Sequence, residues 1–159
     1  MFELTMAAVI SQNESSGYLA CAKFERATFE RMCAGGLGWT DAAQRAIAKL
    51  HNCDITTARA LACTSWGLYQ IMGFNLWDAS VCDWTLDLGT FLRDAGAQTA
   101  AFERFLVATS ISDITVSDLE TDPEKRERFI AKYNGPGDVA NYWALTQRSI
   151  AYLRARQST

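Results

Sequence analysis

The run Ser65-Trp66-Gly67-Leu68-Tyr69-Gln70-Ile71-Met72-Gly73-Phe74-Asn75 constrains the fold of this chain most. It is apolar, yet two glycines, a glutamine and a serine are set into it. A segment that only filled a core would have no use for Gln70. An amide in apolar surroundings must find hydrogen-bond partners or cost about 1–3 kcal/mol. Gly67 and Gly73 call for close backbone approach or positive φ rather than for volume. The stretch reads as a short helical turn pressed into the core. Ser65 and Gln70 then face a groove, while Trp66 and Met72 stay inside. A buried helix with a satisfied glutamine fits the same residues, because short apolar runs are ambiguous by periodicity.

The chain has 159 residues, enough for one domain with its own core. Its net charge of −3 argues against a nucleic-acid binder, which would carry a basic surplus. Cys21, Cys33, Cys53, Cys63 and Cys82 are scattered, with neither a C-x-x-C pair nor zinc-ligand spacing. They read as reduced thiols of a protein folded in the cytosol. His51 is the single histidine, so a His-based metal site or a Ser–His triad is not expected; it reads as a helix-end residue. No metal and no organic cofactor is expected. Met1 to Met6 shows neither a basic region followed by an apolar one nor a membrane span. A target outside the cytoplasm would then be reached only with outside help.

Apolar spacing predicts a helix over 2–13, with Phe2, Met6, Val9 and Ile10 on one face and Gly17 just past its end. Glu14 then falls in the last turn of an apolar helix. The helix end is already partly negative, and apolar neighbours disfavour a second negative charge. Both effects raise a carboxyl pKa, which suits a general acid working near neutral pH. A solvated glutamate at a frayed end is the plainer alternative. Lys23 to Phe29 reads as a short strand or hairpin. Thr40 caps a helix over 41–51 with Ala43, Ile47 and Leu50 inward, and Asp54 caps one over 55–64. Further helices are expected over 84–93, 95–109, 123–133 and 139–156, the third started by Thr121-Asp122-Pro123. In the last, Tyr142, Leu145, Ile150 and Leu153 are apolar. Ile111 to Leu119 is open between strand and short helix. Asn134-Gly135-Pro136-Gly137 is a turn.

Three separated features occur in order: Asn13-Glu14-Ser15-Ser16-Gly17 at a helix end, the Ser65–Gly73 run, and Tyr133-Asn134-Gly135-Pro136-Gly137. This order resembles the lysozyme superfamily. With Phe24-Glu25-Arg26 and Phe29 added, it resembles the phage N-acetylmuramidase family found in endolysins, over about residues 5–153. The chain departs from that pattern at Ser16, usually Gly, at Ala27, usually His, and at Ala95, where an acid usually precedes Gln98.

The resemblance implies a mainly α, lysozyme-like domain with a small β-hairpin beside a cleft. Residues 1–159 would form one catalytic domain without a separate wall-binding domain. It implies hydrolysis of the bond between N-acetylmuramic acid and N-acetylglucosamine, which needs a proton donor and a second group for an oxocarbenium-like transition state. Glu14 is the expected acid and Glu25, in the β element, the second group; a structural ion pair is the alternative for Glu25. Thr28 could hold a water. Ser65, Gln70, Tyr133 and Asn134 are expected to bind acetamido and hydroxyl groups, although Tyr133 and Asn134 also fit a plain helix-ending turn. A lytic transglycosylase, working with one glutamate, and a non-catalytic wall-binding module are the alternatives. The expected partner is the peptidoglycan glycan strand, met by a monomer made in the host cytoplasm and acting after membrane permeabilisation. Arg148, Arg154 and Arg156 beside Ile150, Tyr152 and Leu153 leave weak membrane contact by the last helix open, against arginines that are merely solvated.

Overall fold

The computed structural model describes residues 4–35, 39–82 and 85–158. Phe2 and Trp84 of the expected helices lie outside them. Helix α1, Met6–Ser15, is capped by Thr5, whose hydroxyl accepts from the Ala8 amide at 3.2 Å. Its left-handed end begins at Ser16 (φ 52°), one residue before the expected Gly17 (φ 80°). Strand β1 is only Ala22–Phe24, and helix α2, Arg26–Cys33, follows it. The expected strand or hairpin through Phe29 is therefore wrong after Phe24. Arg26 pairs with Glu30 one turn on, at 2.8 Å, which supports a helix there.

Helices α3, Asp41–Leu50, and α4, Ile55–Ala62, start at Thr40 and Asp54 as expected. The cap bonds are Ala43 N to Thr40 Oγ1 and Thr57 N to Asp54 Oδ1. His51 ends α3 edge-on to Trp77, and Leu50 is exposed rather than inward. The Ser65–Asn75 stretch is not a helical turn. It is a hairpin of β2, Thr64–Trp66, and β3, Ile71–Met72, running into a short helix α5, Gly73–Leu76. The sheet is antiparallel in the order β1-β2-β3. The helix expected over 84–93 is only α6, Leu88–Phe91. Helix α7, Ala95–Ala108, is capped by Asp94. The open segment 111–119 holds no strand. Ile111 and Ile114 are buried in a turn, and α8, Val116–Thr121, begins with a Thr115–Asp118 capping box. Helix α9, Pro123–Tyr133, starts at Asp122. A 3-10 turn, Pro136–Asp138, leads to α10, Val139–Gln157.

The core gathers around α7. Ile10, Ile47, Trp77, Phe102 and Phe129 are all but fully buried in it. Each such side chain contributes about 1.5–3 kcal/mol relative to exposure. Tyr69 stacks on Phe102 with ring centroids 4.3 Å apart, tying the hairpin turn to α7. Val9, Val116 and Ile150 form a second cluster that joins α1 to α10. That junction lays the N-terminal half of α10 beside the end of α1. Leu145, apolar in the sequence, is exposed. No described helix is long and apolar enough to cross a membrane.

Candidate active site

Glu14 sits in the last turn of α1, where the helix offers partial negative charge and no basic residue to offset it. The side chain is half-buried. Burial pushes its carboxyl pKa up; a hydrogen bond donated by Tyr142 Oη to Glu14 Oε1, and then the nearby Lys23 ammonium, pull it back in part. The net direction is upward, as the helix-end position predicts. The same contact, with burial, raises the Tyr142 phenol well above its ordinary range. The sequence offered Tyr142 only as an apolar face residue. Its role depends on α1 meeting α10, which no local signal carries.

The hairpin turn explains both the glutamine and the glycines. Gly67 and Gln70 take left-handed backbone, with φ of 76° and 46°. The Gln70 side-chain amide donates to Gly67 O at 2.9 Å and to Cys21 O at 3.2 Å. It thereby closes its own turn and pins that turn to the segment before β1. Gly73 serves the other purpose foreseen for a glycine. A methyl there would overlap the Leu61 carbonyl and the Ala62 backbone.

Gln98 of α7, 1% exposed, holds the hairpin from beneath. Its Oε1 accepts from the Leu68 amide at 2.6 Å, and its Nε2 donates to Leu19 O at 3.1 Å and Phe91 O at 3.0 Å. A side chain at Gly67 would collide with this amide. One buried glutamine thus joins the loop after α1, the hairpin and α6. The sequence carried a signal for it, a glutamine on the apolar face of α7, but nothing that named its partners.

Strand register decides what the sheet shows to solvent. Lys23 pairs with Ser65, and Ser65 with Met72, so these three side chains form one row. All three line one cavity. Trp66 and Ile71 form the opposite row, and the Trp66 indole donates to Leu61 O at 2.9 Å. Trp66 is core-facing as expected. Met72 packs, as expected, against the small core cluster of Met32, Ala62 and Cys63, and it also lines the cavity, where Ser65 Oγ donates to its sulfur at 3.0 Å.

That cavity, about 540 Å³, is lined by Glu14, Lys23, Glu25, Thr28, Arg31, Ser65, Gln70, Met72, Phe74, Tyr133 and Asn134. It brings together every site residue picked from the sequence. Glu25 stands at the N-terminus of α2 rather than in a strand, and its Oε1 meets Lys23 Nζ at 2.8 Å. Thr28 lies one turn into α2. Tyr133 reaches the cavity with its ring, but its enclosed hydroxyl donates to Tyr69 O, and burial raises its pKa. Its ring lies among Phe102, Phe105 and Phe129, so it shapes the wall. Asn134 caps α9 and faces both this cavity and a smaller one, about 230 Å³, on the far side of Glu14. Another cavity, about 560 Å³, lies beside α6 and α7. Among its described lining residues the one carboxylate is Asp87, which is bound to the Thr90 amide and hydroxyl.

The arrangement can deliver a proton from a half-buried carboxyl to a ligand lying between Glu14 and the Lys23–Glu25 pair. Among the described residues no group of three or more His, Cys, Asp or Glu side chains gathers as a metal site would require. On α10, Arg154 forms a two-pronged bond with Glu120 and Arg156 stacks over Tyr152, which engages two of the three arginines considered for a membrane.

Two comparisons with known proteins bear on the family of this chain. The family model for N-acetylmuramidase matches residues 39–150. The endolysin of Enterobacteria phage PRD1 is 32% identical over 139 residues, 87% of this chain and 91% of that protein. No solved structure matches the chain significantly.

Proposed function

The chain belongs to the N-acetylmuramidase family, and on that premise we propose that Glu14 is the general acid with which it cleaves the β-1,4 bond between N-acetylmuramic acid and N-acetylglucosamine. The chain is a peptidoglycan hydrolase, a glycoside hydrolase of muramidase type. What supports Glu14 is one observation: a half-buried carboxyl with a raised pKa, held by Tyr142, opens on a cavity that also holds a second carboxylate. A raised pKa keeps the proton on Glu14 until the leaving oxygen can take it. Glu25 is the second group, stabilising the cationic sugar or directing water. Gln70, Ser65 and Asn134 bind the sugar's acetamido and hydroxyl groups, and Thr28 holds a water.

The relative from phage PRD1 is an endolysin. In the same role, this chain is made in the host cell and reaches the wall once the membrane is permeabilised. Glu14→Gln should abolish lysis of permeabilised cells while leaving the fold intact by circular dichroism. Undiminished lysis would remove Glu14 as the acid.

The Lys23–Glu25 ion pair favours a second reading, because an enzyme that needs only Glu14 can leave Glu25 to its cation. A lytic transglycosylase closes the muramic acid C6 hydroxyl onto C1 and releases 1,6-anhydro ends without water. Mass spectrometry of the digest separates the two: reducing ends support hydrolysis, and anhydro ends overturn it.

A further inference from the structure

Two cations line the cavity, and protein contacts account for one of them. Lys23 is paired with Glu25. Arg31, in the last turn of α2, lines the same wall and is exposed. Among the described residues no carboxylate pairs with it. Its polar contact is Nη2 donating to Thr28 Oγ1 at 3.5 Å, the outer limit of a hydrogen bond. A cation at a helix C-terminus offsets the helix's partial negative charge, but that role needs no cavity.

The substrate suggests a use for it. The sugar rings and the scissile oxygen of peptidoglycan are neutral. Charge enters through the 3-O-lactyl group of muramic acid, either as its own free carboxylate or as carboxylates on the peptide it bears. We propose that Arg31, with Thr28 beside it, is a specificity-determining residue that binds a carboxylate carried by this lactyl substituent. Its planar guanidinium fits a carboxylate in a two-pronged bond, which a lysine cannot reproduce. The cleft then selects muramyl strands over uncharged strands of N-acetylglucosamine. This rests on the reading of the cavity as the glycan cleft.

The test uses the full chain and soluble glycan strands in three forms. The first bears stem peptides. The second is stripped of peptides, with free lactyl carboxylates. The third is the stripped form with its carboxylates converted to methylamides. KM for the wild type should rise about tenfold on the methylamide strands, the size of one charge-assisted hydrogen bond. Arg31→Gln should raise KM about tenfold on charged strands with kcat nearly constant, and add no further loss on methylamide strands. Arg31→Lys should recover part of the affinity. A loss only on stripped strands assigns the free lactyl carboxylate, a loss only on peptide-bearing strands assigns a peptide carboxylate, and a loss on both shows that either one fills the site. All three support the proposal. Equal losses on charged and methylamide strands, or a variant whose sole defect is a lower Tm or a lower kcat, overturn it. Wild-type protein that cleaves no strand would sink the glycan-cleft reading itself. Normal cleavage with Arg31→Gln indifferent to substrate charge would sink this inference alone.

Discussion

Tyr142→Phe tests the proposed proton donor, Glu14, without touching its carboxyl. The Tyr142 hydroxyl donates to Glu14 Oε1, and the residue is otherwise buried, with its ring centroid 6.3 Å from that of Tyr133. Phenylalanine keeps that packing and removes the donor to Glu14, together with the hydroxyl's hydrogen bond with Asn13. A hydrogen bond to an ionised group is worth about 1.5–3 kcal/mol, against about 0.5–1.5 kcal/mol when both partners are neutral. The hydroxyl therefore favours the ionised form of Glu14 by about 1–1.5 kcal/mol. At about 1.4 kcal/mol per pH unit, its loss should move the Glu14 titration upward by about one unit. An acid catalyst works protonated, so activity falls as pH rises through its pKa. The alkaline limb of the rate profile should move to higher pH by about one unit in the variant. The assay is the initial rate of wall cleavage from acid to mildly alkaline pH, for both proteins. A limb that stays in place or moves to lower pH would refute the argument. Loss of the acid plateau by orders of magnitude would show that Tyr142 takes part in the chemistry itself.

Glu14→Gln should also stabilise the protein at neutral pH. A carboxyl whose folded pKa is raised binds more protons folded than unfolded, so stability is lost as pH climbs from the ordinary carboxylate value through the folded one. The glutamine variant lacks this loss and should melt a few degrees higher at neutral pH, on the order of 1 kcal/mol, and match the wild type in acid; equal melting at neutral pH would contradict the sign. Gln98→Leu should leave the Leu68 amide and the Leu19 and Phe91 carbonyls without their partner. At about 1–3 kcal/mol per orphaned group, the Tm should drop by roughly 10 °C, and a thermal melt that does not move would sink the claim that Gln98 holds the hairpin.

Helix starts were legible because a cap is local. Thr40, Asp54 and the Thr121-Asp122-Pro123 run each satisfy amides within three residues, and each starts its helix where expected. The sheet was legible only in part: Lys23 and Phe24, expected in a strand, lie in β1, while β2 and β3 were not expected as strands. Its strands have three, three and two residues, too few for alternation to register, and β1 meets β2 only across the intervening helices. The hairpin hid for a related reason. Gln70 was rightly read as an amide in need of partners, but its partners are carbonyls that exist only once the turn has formed. Arg26 to Phe29, expected to continue the strand begun at Lys23, instead open α2, where the Arg26–Glu30 spacing carried the contrary signal.

The site was more legible than the sheet that supports it. Its motifs lie at helix ends and turns, where glycine, asparagine and a misplaced carboxylate each need a local reason. Glu14, Glu25, Thr28, Ser65, Gln70, Tyr133 and Asn134 line one cavity. What local reasoning omits is the strength of each group. An apolar helix end says that Glu14 should hold its proton, and burial agrees. It does not say that α10 will bring a phenol to weaken that hold, or that α7 will fix the hairpin opposite through Gln98. Burial alone would hold the Glu14 proton more tightly than burial and the phenol do together. Tyr142 acts against burial, and removing it separates the two effects in a single rate profile.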